Sequence, residues 1–587
     1  MADSRVIVGS AGHVDHGKSS LIFALNGFWG DSRPSEIERG ITIDLSFSAL
    51  EGLSFIDVPG HESLVKTMVS GAFGFDACLF VVDINEGLMP QSIEHAQILR
   101  ALGLGAVILV LTKCDLFVAK GLNERSDEIK EELQQYIQVQ QCFCTSIKDE
   151  SSVLELKNYL LSLKPKKRDE APARLWVDRA FNIKGFGSVV TGTLGFGALR
   201  LDELLGSSLG FEVKINALEV HKERVQEVKA PARLSINYKG KALKKGSLLF
   251  EKGLLASSYS FDAVLSKELE PGDFRLCVGT ASLIVRLRHL GDKYYSVHMK
   301  EPLPLCFGDR FILLREGRFC SGARVVNAIN EPMKKPKKLE LLRAMDEKDY
   351  KKAFALILDF HKRGFDLKNS YQRFALSKEE AFSLAKDIKN SFLDEKSCML
   401  YSDASFSLAK EKVFHILQKN PLALLSATSL ALSLKYASKA LCQRVLLRLQ
   451  GEGILKEEEG VFFNAKKNLL DLKRDLEQSL LEELSFIRPK APYNIYDDLG
   501  IDRKTGDLAL KKLCNKNLVL RLEHNVYVAK KVLDSFIKDM EEDLKTGLDV
   551  SSLKIKFNLS RKYAIAYLEY LDRSRLVKNI DNVRYLL

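Results

Sequence analysis

Gly12-His13-Val14-Asp15-His16-Gly17-Lys18-Ser19 follows almost directly on the apolar run Val6-Ile7-Val8. The stretch fits the pattern of glycine, four residues, glycine, lysine, and serine or threonine, in the strand-to-helix context of a phosphate-binding loop. Backbone N–H groups of such a loop, together with the N-terminus of the next helix, cradle the phosphates of a nucleoside triphosphate. Lys18 would reach the β- and γ-phosphates. The predicted nucleotide contacts here are Asp15, His16, Gly17, Lys18, Ser19 and Ser20.

Further motifs indicate that the base is guanine. Asp57-Val58-Pro59-Gly60-His61-Glu62, Thr112-Lys113-Cys114-Asp115 and Thr145-Ser146-Ile147 each follow a run that reads as a strand. A carboxylate at Asp115 suits the N1–H and exocyclic amine of guanine, which adenine cannot match with donors. The predicted GTP contacts from these motifs are Asp57, Gly60, Thr112, Lys113, Asp115, Thr145, Ser146 and Ile147. The predicted magnesium ligands are Ser19, Thr42 and Asp57.

Arg39-Gly40-Ile41-Thr42-Ile43-Asp44 narrows the class, because a loop threonine can close over magnesium and the γ-phosphate and release after hydrolysis. With the motifs above, it resembles the translational GTPases related to elongation factor Tu. The resemblance implies GTP and Mg²⁺ as cofactors, and it implies that His61 positions the attacking water when the ribosome triggers hydrolysis. Thr112 departs from the asparagine common in the family, which removes an amide that usually bridges loops.

Composition sets limits on the class of protein. The chain has 587 residues, a formal net charge of +11 and ten cysteines. This length predicts several domains, and the charge favours a polyanionic partner. The cysteines show no paired Cys-x-x-Cys sets, so neither a zinc site nor a disulfide framework is indicated. No apolar run approaches the length of a membrane span, and no signal peptide precedes the first strand, so a cytoplasmic protein is expected.

The first domain, residues 1–163, alternates strand and helix patterns as a doubly wound α/β sheet does. A charged, proline-bounded linker precedes short β-rich runs with glycine turns, which predict β-barrels at residues 173–252 and 253–331. These barrels resemble the second and third domains of the elongation factor Tu family, although Pro231 stands where glycine is usual. The resemblance implies that they clamp the aminoacyl end of a tRNA. Purely structural barrels are the alternative.

A second predicted linker, residues 330–338, leads into a tail of repeated modules, each an amphipathic helix followed by two short strands. This pattern is typical of the helix and wing of a winged-helix unit, and its repetition indicates an array. The predicted units are residues 339–405, 406–466, 467–529 and 530–587. The fold class is therefore multidomain, with a P-loop GTPase domain, two β-barrels and an array of winged-helix (α+β) domains.

The last unit is the best suited to nucleic acid. Basic side chains at the start of its recognition helix and on its wing could contact phosphates. Tyr563, Tyr567 and Tyr570 interleave with them, and those that are exposed would be available to stack on unpaired bases. The alternative is a solvated basic face with core tyrosines. The candidate RNA contacts are Lys554, Lys556, Arg561, Lys562, Arg573, Lys578 and Arg584.

The whole combination resembles the bacterial selenocysteine-specific elongation factors of the SelB type. The resemblance implies delivery of selenocysteyl-tRNA to a ribosome at UGA, a tail that binds an mRNA hairpin (the selenocysteine insertion element), and a monomer that binds no membrane. It also implies an aminoacyl pocket at Asp44, Arg179 and Arg233, for which barrel salt bridges are the alternative. Other classes stay open: a regulatory subunit as in sulfate activation, a DNA-binding regulator with a GTPase head, and a general aminoacyl-tRNA carrier.

Overall fold

The structure is a computed structural model, and it describes most of the chain. The described residues are 6–27, 46–50, 52–58, 68–70, 74–117, 121–164, 168, 170–183, 187–220, 223–421, 423–501 and 503–587. The chain divides into two compact units, residues 1–356 with 367–384, and residues 357–366 with 385–587. The order of an α/β domain, two barrels and winged helices confirms the predicted fold class.

The α/β domain is built on a six-stranded sheet of order β2-β3-β1-β4-β5-β6, parallel except for the edge pair β2–β3. Its central strand is buried along its whole length, as expected for a parallel sheet covered on both faces. The strands are β1 Val6–Ala11, β2 Ser46–Leu50, β3 Leu53–Asp57, β4 Ala77–Asp83, β5 Ala106–Thr112 and β6 Gln138–Cys144. The described helices are α1 Lys18–Asn26, α2 Pro90–Ala101, α3 Leu122–Gln134 and α4 Glu150–Ser162.

Two antiparallel barrels follow in the same unit. In the first, β10 pairs with both β15 and β11, which closes the sheet β10-β15-β7-β8-β14-β11, and the second is the closed barrel β16-β19-β18-β17-β20-β21. The first has β7 Arg174–Ile183, β8 Gly187–Phe196, β9 Ala198–Arg200, β10 Leu204–Ser207, β11 Glu212–Val220, β12 Glu223–Val225, β13 Glu227–Lys229, β14 Ala232–Lys239 and β15 Leu248–Glu251. The second has β16 Ser258–Leu265, β17 Gly272–Val278, β18 Ala281–Gly291, β19 Tyr294–Leu303, β20 Arg310–Arg315 and β21 Arg318–Asn327.

The second barrel packs directly on the α/β domain. Ile312 and Leu314 of β20 belong to the same buried apolar cluster as the sheet's strands, and the Phe319 N–H donates to the carboxylate of Glu94 on α2 at 2.9 Å. Close packing of this kind holds two domains in a fixed relation, because separating them would expose apolar surface to water.

The segment 330–338 is not the free linker that its charge predicts. Helix α5, Lys335–Asp346, begins inside it, and the buried Lys338 ammonium lies 2.8 Å from the carboxylate of Asp262 on β16. The buried carboxylate of Glu331 pairs with Arg373 at 2.5 Å. Charges drawn from distant parts of the chain satisfy one another here, so a composition typical of a solvated linker is compatible with burial.

The rest of the chain alternates short helices with small antiparallel sheets. The helices are α6 Tyr350–Phe360, α7 Ser370–Phe374, α8 Lys378–Lys386, α9 Asp403–Lys419, α10 Ala427–Leu434, α11 Lys439–Gly451, α12 Leu469–Glu483, α13 Pro492–Leu499, α14 Arg503–Asn515, α15 Lys530–Thr546, α16 Val550–Lys556 and α17 Arg561–Arg573. The strands are β22 Phe365–Asp366, β23 Ser391–Asp394, β24 Met399–Ser402, β25 Leu455–Glu458, β26 Val461–Asn464, β27 Val519–Glu523, β28 Val526–Ala529, β29 Val577–Ile580 and β30 Val583–Leu586. None of the helices in the described part of the chain is long and apolar enough to cross a membrane.

The last module shows how these units are built. Leu533, Phe536, Met540 and Leu544 recur on one face of α15 and are buried, because residues three and four apart share a face of a helix. Helices α16 and α17 pack against them, and strands β29 and β30 form the wing. Leu548, just after α15, forms an isolated antiparallel β-bridge with Arg584 of the wing. The two shorter helices and the two-stranded wing would be marginally stable alone, so the module depends on this shared core.

Candidate functional site

Two glycines shape the loop between β1 and α1. Gly12 has φ +133°, and a Cβ there would stand 2.1 Å from the carbonyl oxygen of Val81. Gly17 has φ +84° and immediately precedes α1. Both backbone conformations disfavour side chains, so the two glycines let the chain turn tightly and leave the helix N-terminus open toward a ligand.

Lys18 lies at the centre of the loop. Its side chain is buried, and its ammonium donates to the carbonyl oxygens of Gly12 at 3.2 Å and His13 at 2.5 Å. Burial lowers the pKa of Lys18, although the carboxylates of Asp57 and Asp15 oppose the shift. Among the described residues, the hydrogen bonds of this desolvated cation go to neutral carbonyls, so it is well prepared to bind phosphate oxygens.

A hydroxyl and a carboxylate meet where the metal is predicted. Ser19 Oγ donates to Asp57 Oδ2 at 2.6 Å, and Ser10 Oγ donates to the other carboxylate oxygen at 2.5 Å. The Val58 N–H in turn donates to Ser10 Oγ at 3.2 Å. The structure therefore brings the predicted pair Ser19 and Asp57 together, and it adds Ser10, which fixes the orientation of the carboxylate. Oxygen donors of this kind suit Mg²⁺.

Two neutral histidines support the loop. Burial lowers the pKa of His95 to about 3, so its Nδ1 is free to accept the Gly12 N–H, at 3.3 Å. His16 is fully buried, burial lowers its pKa, and its Nε2 lies 3.1 Å from the carboxylate of Glu86. The His16 ring is thus already engaged by Glu86. Asp15, predicted beside it, is exposed with a left-handed backbone.

The predicted base-binding residues converge at the ends of β5 and β6. Asp115 accepts from Ser146 Oγ at 2.8 Å and pairs with the Lys148 ammonium at 3.1 Å. The hydrogen bond from Ser146, followed by that from Lys148, lowers the pKa of Asp115, so its side chain is a carboxylate at neutral pH. Thr145 and Ser146 are buried in the same loop, whereas Ile147 is exposed.

Thr112 stands where asparagine is common in the family, and its hydroxyl still bridges two loops. Its hydroxyl donates to the carbonyl oxygen of His16 at 2.8 Å, which joins the base-binding loop to the phosphate loop across the site. Lys113 follows with a left-handed backbone and pairs with the buried Asp83 at 2.8 Å. Asp83 pairs with Thr112 in the sheet register, at the carboxyl end of β4. The sequence analysis did not single out Asp83, although its place at the end of a predicted strand could have identified it.

Several predicted residues lie outside the described residues. These are Asp44, Thr42, Gly60 and His61. The rest of the predicted nucleotide site falls within one loop cluster at the carboxyl ends of β1, β3, β5 and β6, where open α/β sheets bind their ligands. Residues that the sequence did not single out here are Ser10, Asp83, Glu86, His95 and Lys148.

A second cluster forms between the α/β domain and the first barrel. The guanidinium of Arg233 lies 3.3 Å from the ring centre of Phe47, and that of Arg179 lies 5.5 Å from the same ring. Arg233 also donates to both carboxylate oxygens of Asp178, and Thr191 Oγ1 donates to Asp178 Oδ1 at 2.7 Å. The two arginines predicted for the aminoacyl pocket therefore converge on a residue of β2, and one of them is also in a barrel salt bridge.

In the last module, some predicted RNA contacts remain exposed. Arg561 and Lys562 open α17, Lys554 lies on α16, and Lys578 lies on the wing. Lys556 is exposed but pairs with Asp543 at 2.5 Å. The neighbouring Ile555 has 83% of its side chain exposed, so an apolar group stands among the basic ones.

Other residues of that set serve the fold. Arg584 is buried and pairs with Asp572 at 2.8 Å, and Arg573 donates to the carbonyl oxygen of Leu522. The prediction that the tyrosines are free to stack is wrong for Tyr567, which is buried and donates to the Ile487 carbonyl at 2.8 Å. Tyr563 is half-buried and donates to the carbonyl of Pro489. Hydroxyls that find buried acceptors let tyrosine rings pack in a core.

Comparison with known proteins agrees with this arrangement. The family model described as the elongation factor Tu GTP binding domain matches residues 3–166, and the one described as elongation factor SelB, winged helix, matches residues 542–586. The chain is 27% identical to the selenocysteine-specific elongation factor of Desulfomicrobium baculatum, over 99% of each chain. It is 34% identical to that of Escherichia coli, over 41% of this chain and 40% of the relative.

Among solved structures, the fold is similar to the crystal structure of a bacterial selenocysteine-specific elongation factor, EF-Sec. The TM-score is 0.69 at 24% identity, and the similarity covers 100% of both chains. The similarity to EF-Sec and to the Desulfomicrobium baculatum relative runs along almost the whole chain. The chain is thus a GTPase that is similar along almost its whole length to selenocysteine-specific elongation factors.

Proposed function

We propose that this GTPase carries selenocysteyl-tRNA to the ribosome at UGA codons, while its last winged helix binds a hairpin in the mRNA. The observation that carries the proposal is the presence, on one chain, of an elongation factor Tu type GTP site and a SelB type winged helix. Two RNA contacts on one chain raise the local concentration of the factor at the recoded codon. In this role the chain would act in the cytoplasm as a monomer that binds the ribosome.

Hydrolysis in this proposal needs a metal and a positioned water. Ser19 and Asp57 would hold Mg²⁺, and Thr42 would close over it. The Ser19 hydroxyl and the Asp57 carboxylate lie close enough to bind one ion together. When bound, the metal would neutralise charge on the β- and γ-phosphates. His61 would orient the attacking water without covalent chemistry, and GTP in place of GDP would set the conformation that binds tRNA.

Selection of selenocysteine would depend on charge. A selenol is more acidic than a serine hydroxyl and is ionised near neutral pH, whereas one atom's difference in volume supplies little discrimination. The guanidinium groups of Arg179 and Arg233 both contact the Phe47 ring. Asp44 lies three residues before Phe47 in the sequence. We place the aminoacyl pocket at this junction of the α/β domain and the first barrel.

Replacing Arg233 with alanine should bring the protection of selenocysteyl- and seryl-tRNA closer together. A guanidinium in a partly buried site attracts a selenolate and not a hydroxyl, so we expect the ratio of the two dissociation rates to fall about tenfold or more. The measurement is the rate of aminoacyl-bond hydrolysis with GTP present.

Two control variants test whether this effect is specific to the Arg233 guanidinium. Arg233→Lys keeps a cation beside the buried Asp178 and separates a folding defect from a loss of selectivity. Arg200→Ala removes an exposed arginine of the same barrel and should change nothing. An Arg233→Ala protein that still folds and discriminates like the parent would remove Arg233 from the pocket.

The hairpin grip is proposed for the exposed basic face of the last module. Arg561 and Lys562 stand at the start of α17, and Lys554 and Lys578 flank it on α16 and the wing. The deep major groove of an RNA helix admits few side chains, so proteins contact its backbone instead. Basic groups on a recognition helix and a wing can bind the phosphates of that backbone. Arg573 and Arg584 are excluded from this grip because their guanidinium groups bond within the protein.

The double variant Arg561→Gln/Lys562→Gln should weaken binding of a hairpin RNA transcribed from just downstream of an in-frame UGA codon of the same organism. Losing two phosphate contacts should lower the slope of log affinity against log salt by about 1.4–1.8. Lys538→Gln/Lys545→Gln removes the same charge from exposed positions on α15 and serves as the control. Equal slopes for the two double variants, or tighter binding of duplex DNA than of the hairpin, would contradict the proposal and favour a DNA-binding regulator.

A further inference from the structure

A cavity in the module that contains α9 and α11 has the features of a nucleotide site. Its volume is about 250 Å³. The residues that line it include Phe392, Tyr401, Ser402, Phe406, Arg444 and Arg448. This volume lies just below the roughly 300–1,000 Å³ of pockets for drug-sized ligands, which favours a small flat group such as one nucleobase.

Two arginines of α11 are stacked on aromatic rings at the cavity. The guanidinium of Arg444 lies 4.7 Å from the ring centre of Phe392, and that of Arg448 lies 5.0 Å from the ring centre of Phe406. The two arginines are four residues apart and therefore share one face of the helix. Arginine on an aromatic face keeps its N–H groups directed at the edges, where phosphate oxygens can accept them.

The walls of the cavity are fixed by the fold. The Phe392 ring stacks on Tyr401 with an interplanar angle of 18°, and Tyr401 is buried. The Tyr401 hydroxyl accepts the Ser438 N–H at 2.9 Å, and Ser438 caps the N-terminus of α11. This chain of contacts joins β23, β24 and α11, so the stack is organised before any ligand arrives.

The charges at the cavity are unequal. Arg448 lies 3.5 Å from Glu452, which also pairs with Lys410 at 2.6 Å, so its charge is partly neutralised. In the described part of the chain Arg444 is exposed and makes no ion pair, only the contact with Phe392. The exposed carboxylate of Asp403 lines the same cavity. An acidic peptide would meet that carboxylate unfavourably, whereas a nucleobase can donate an exocyclic amine to it.

We propose that this cavity binds one unpaired nucleotide of an RNA, with the base packed against the two arginine–aromatic pairs, Arg444–Phe392 and Arg448–Phe406, and its phosphate on Arg444. The site is distinct from the basic face of the last module. It goes beyond the proposed hairpin grip, because it recognises a base that is not paired. Aromatic rings beside arginines are the usual platform for single-stranded RNA.

The test uses the full chain and a short, fluorescein-labelled single-stranded RNA of mixed sequence, followed by fluorescence anisotropy. Arg444→Gln and Phe392→Leu should each weaken binding roughly 5- to 150-fold, since stacking of one base carries that much affinity. Arg444→Lys should fall between, because it keeps the charge and loses the planar stack. Arg474→Gln and Phe486→Leu alter an exposed arginine and an exposed aromatic of the same unit and should bind like the parent.

A second readout locates the contact. RNA carrying 5-iodouridine should cross-link under ultraviolet light to Phe392 or Phe406, identified by mass spectrometry of the peptide. Binding by Arg444→Gln and Phe392→Leu equal to the parent's would overturn the inference, and so would an equal loss in the control variants. Because the probe has no hairpin, these outcomes are separate from those of the Arg561 and Lys562 variants.

Discussion

Asparagine in place of Asp115 should change the preferred base of this GTPase from guanine to xanthine. The carboxylate accepts from the N1–H and exocyclic amine of guanine, and an amide offers a donor where the second acceptor stood. The hydrogen bond from the exocyclic amine is lost and the remaining bond is no longer made to a charged group, so GTP affinity should fall roughly 100- to 10,000-fold. Xanthosine triphosphate carries an oxygen in place of the amine and should bind Asp115→Asn better than GTP does.

The loop around Asp115 should tolerate the change to asparagine. Ser146 can still donate to the amide oxygen, at the position where it now lies 2.8 Å from Asp115, so the loop should keep its shape. The measurement is the dissociation constant of each nucleotide for both proteins. Asp127→Asn makes the same chemical change at an exposed position of α3 and should leave both constants unaltered. Retained preference for GTP in Asp115→Asn would show that another residue reads the base.

Methionine in place of Lys18 should abolish useful GTP binding while leaving the nucleotide-free fold intact. The ammonium is the buried cation of the phosphate loop, and its loss should weaken GTP at least about 100-fold. Methionine has similar length and flexibility, so packing should be preserved. Titration with GTP measures the first effect and chemical denaturation the second. Lys157→Met on α4 is the control, and GTP affinity equal to the parent's in Lys18→Met would refute the loop assignment.

The same variant should alter how stability depends on pH. Burial lowers the pKa of Lys18 in the folded chain, so above that lowered pKa the unfolded chain holds more protons at this group. The unfolding free energy of the nucleotide-free parent should therefore rise with pH, up to the ordinary lysine pKa of about 10.4. Lys18→Met lacks this contribution, so its stability relative to the parent should decline as pH rises from the lowered pKa of Lys18 toward the ordinary lysine pKa. Parallel pH curves would contradict the assigned shift.

The GTP site was the most predictable part of the chain from sequence. Lys18, Ser19, Asp57 and Asp115 stand in motifs whose chemistry demands those residue types at strand ends, and the described ones meet in one cluster. Position at a strand end would also have found Asp83. His95 gave no such signal, because it lies on α2 and reaches the loop only through the folded packing.

Contacts between distant segments were the least predictable. Nothing local in the sequence indicates that Phe47 of β2 lies under Arg233 of β14, or that Lys338 is buried against Asp262. Tyr567 shows a different failure: its spacing of four and three residues from Tyr563 and Tyr570 is also that of a buried helix face, and packing decided in favour of the core.

The central claim is that this chain is a GTP-dependent carrier selective for selenocysteyl-tRNA. The most direct test compares the hydrolysis rate of the aminoacyl bond in selenocysteyl- and seryl-tRNA built on the same tRNA body, with GTP and with GDP. We predict that the full chain with GTP protects the selenocysteyl form alone and that GDP removes the protection. Equal protection of both forms, or protection of neither, would contradict the claim.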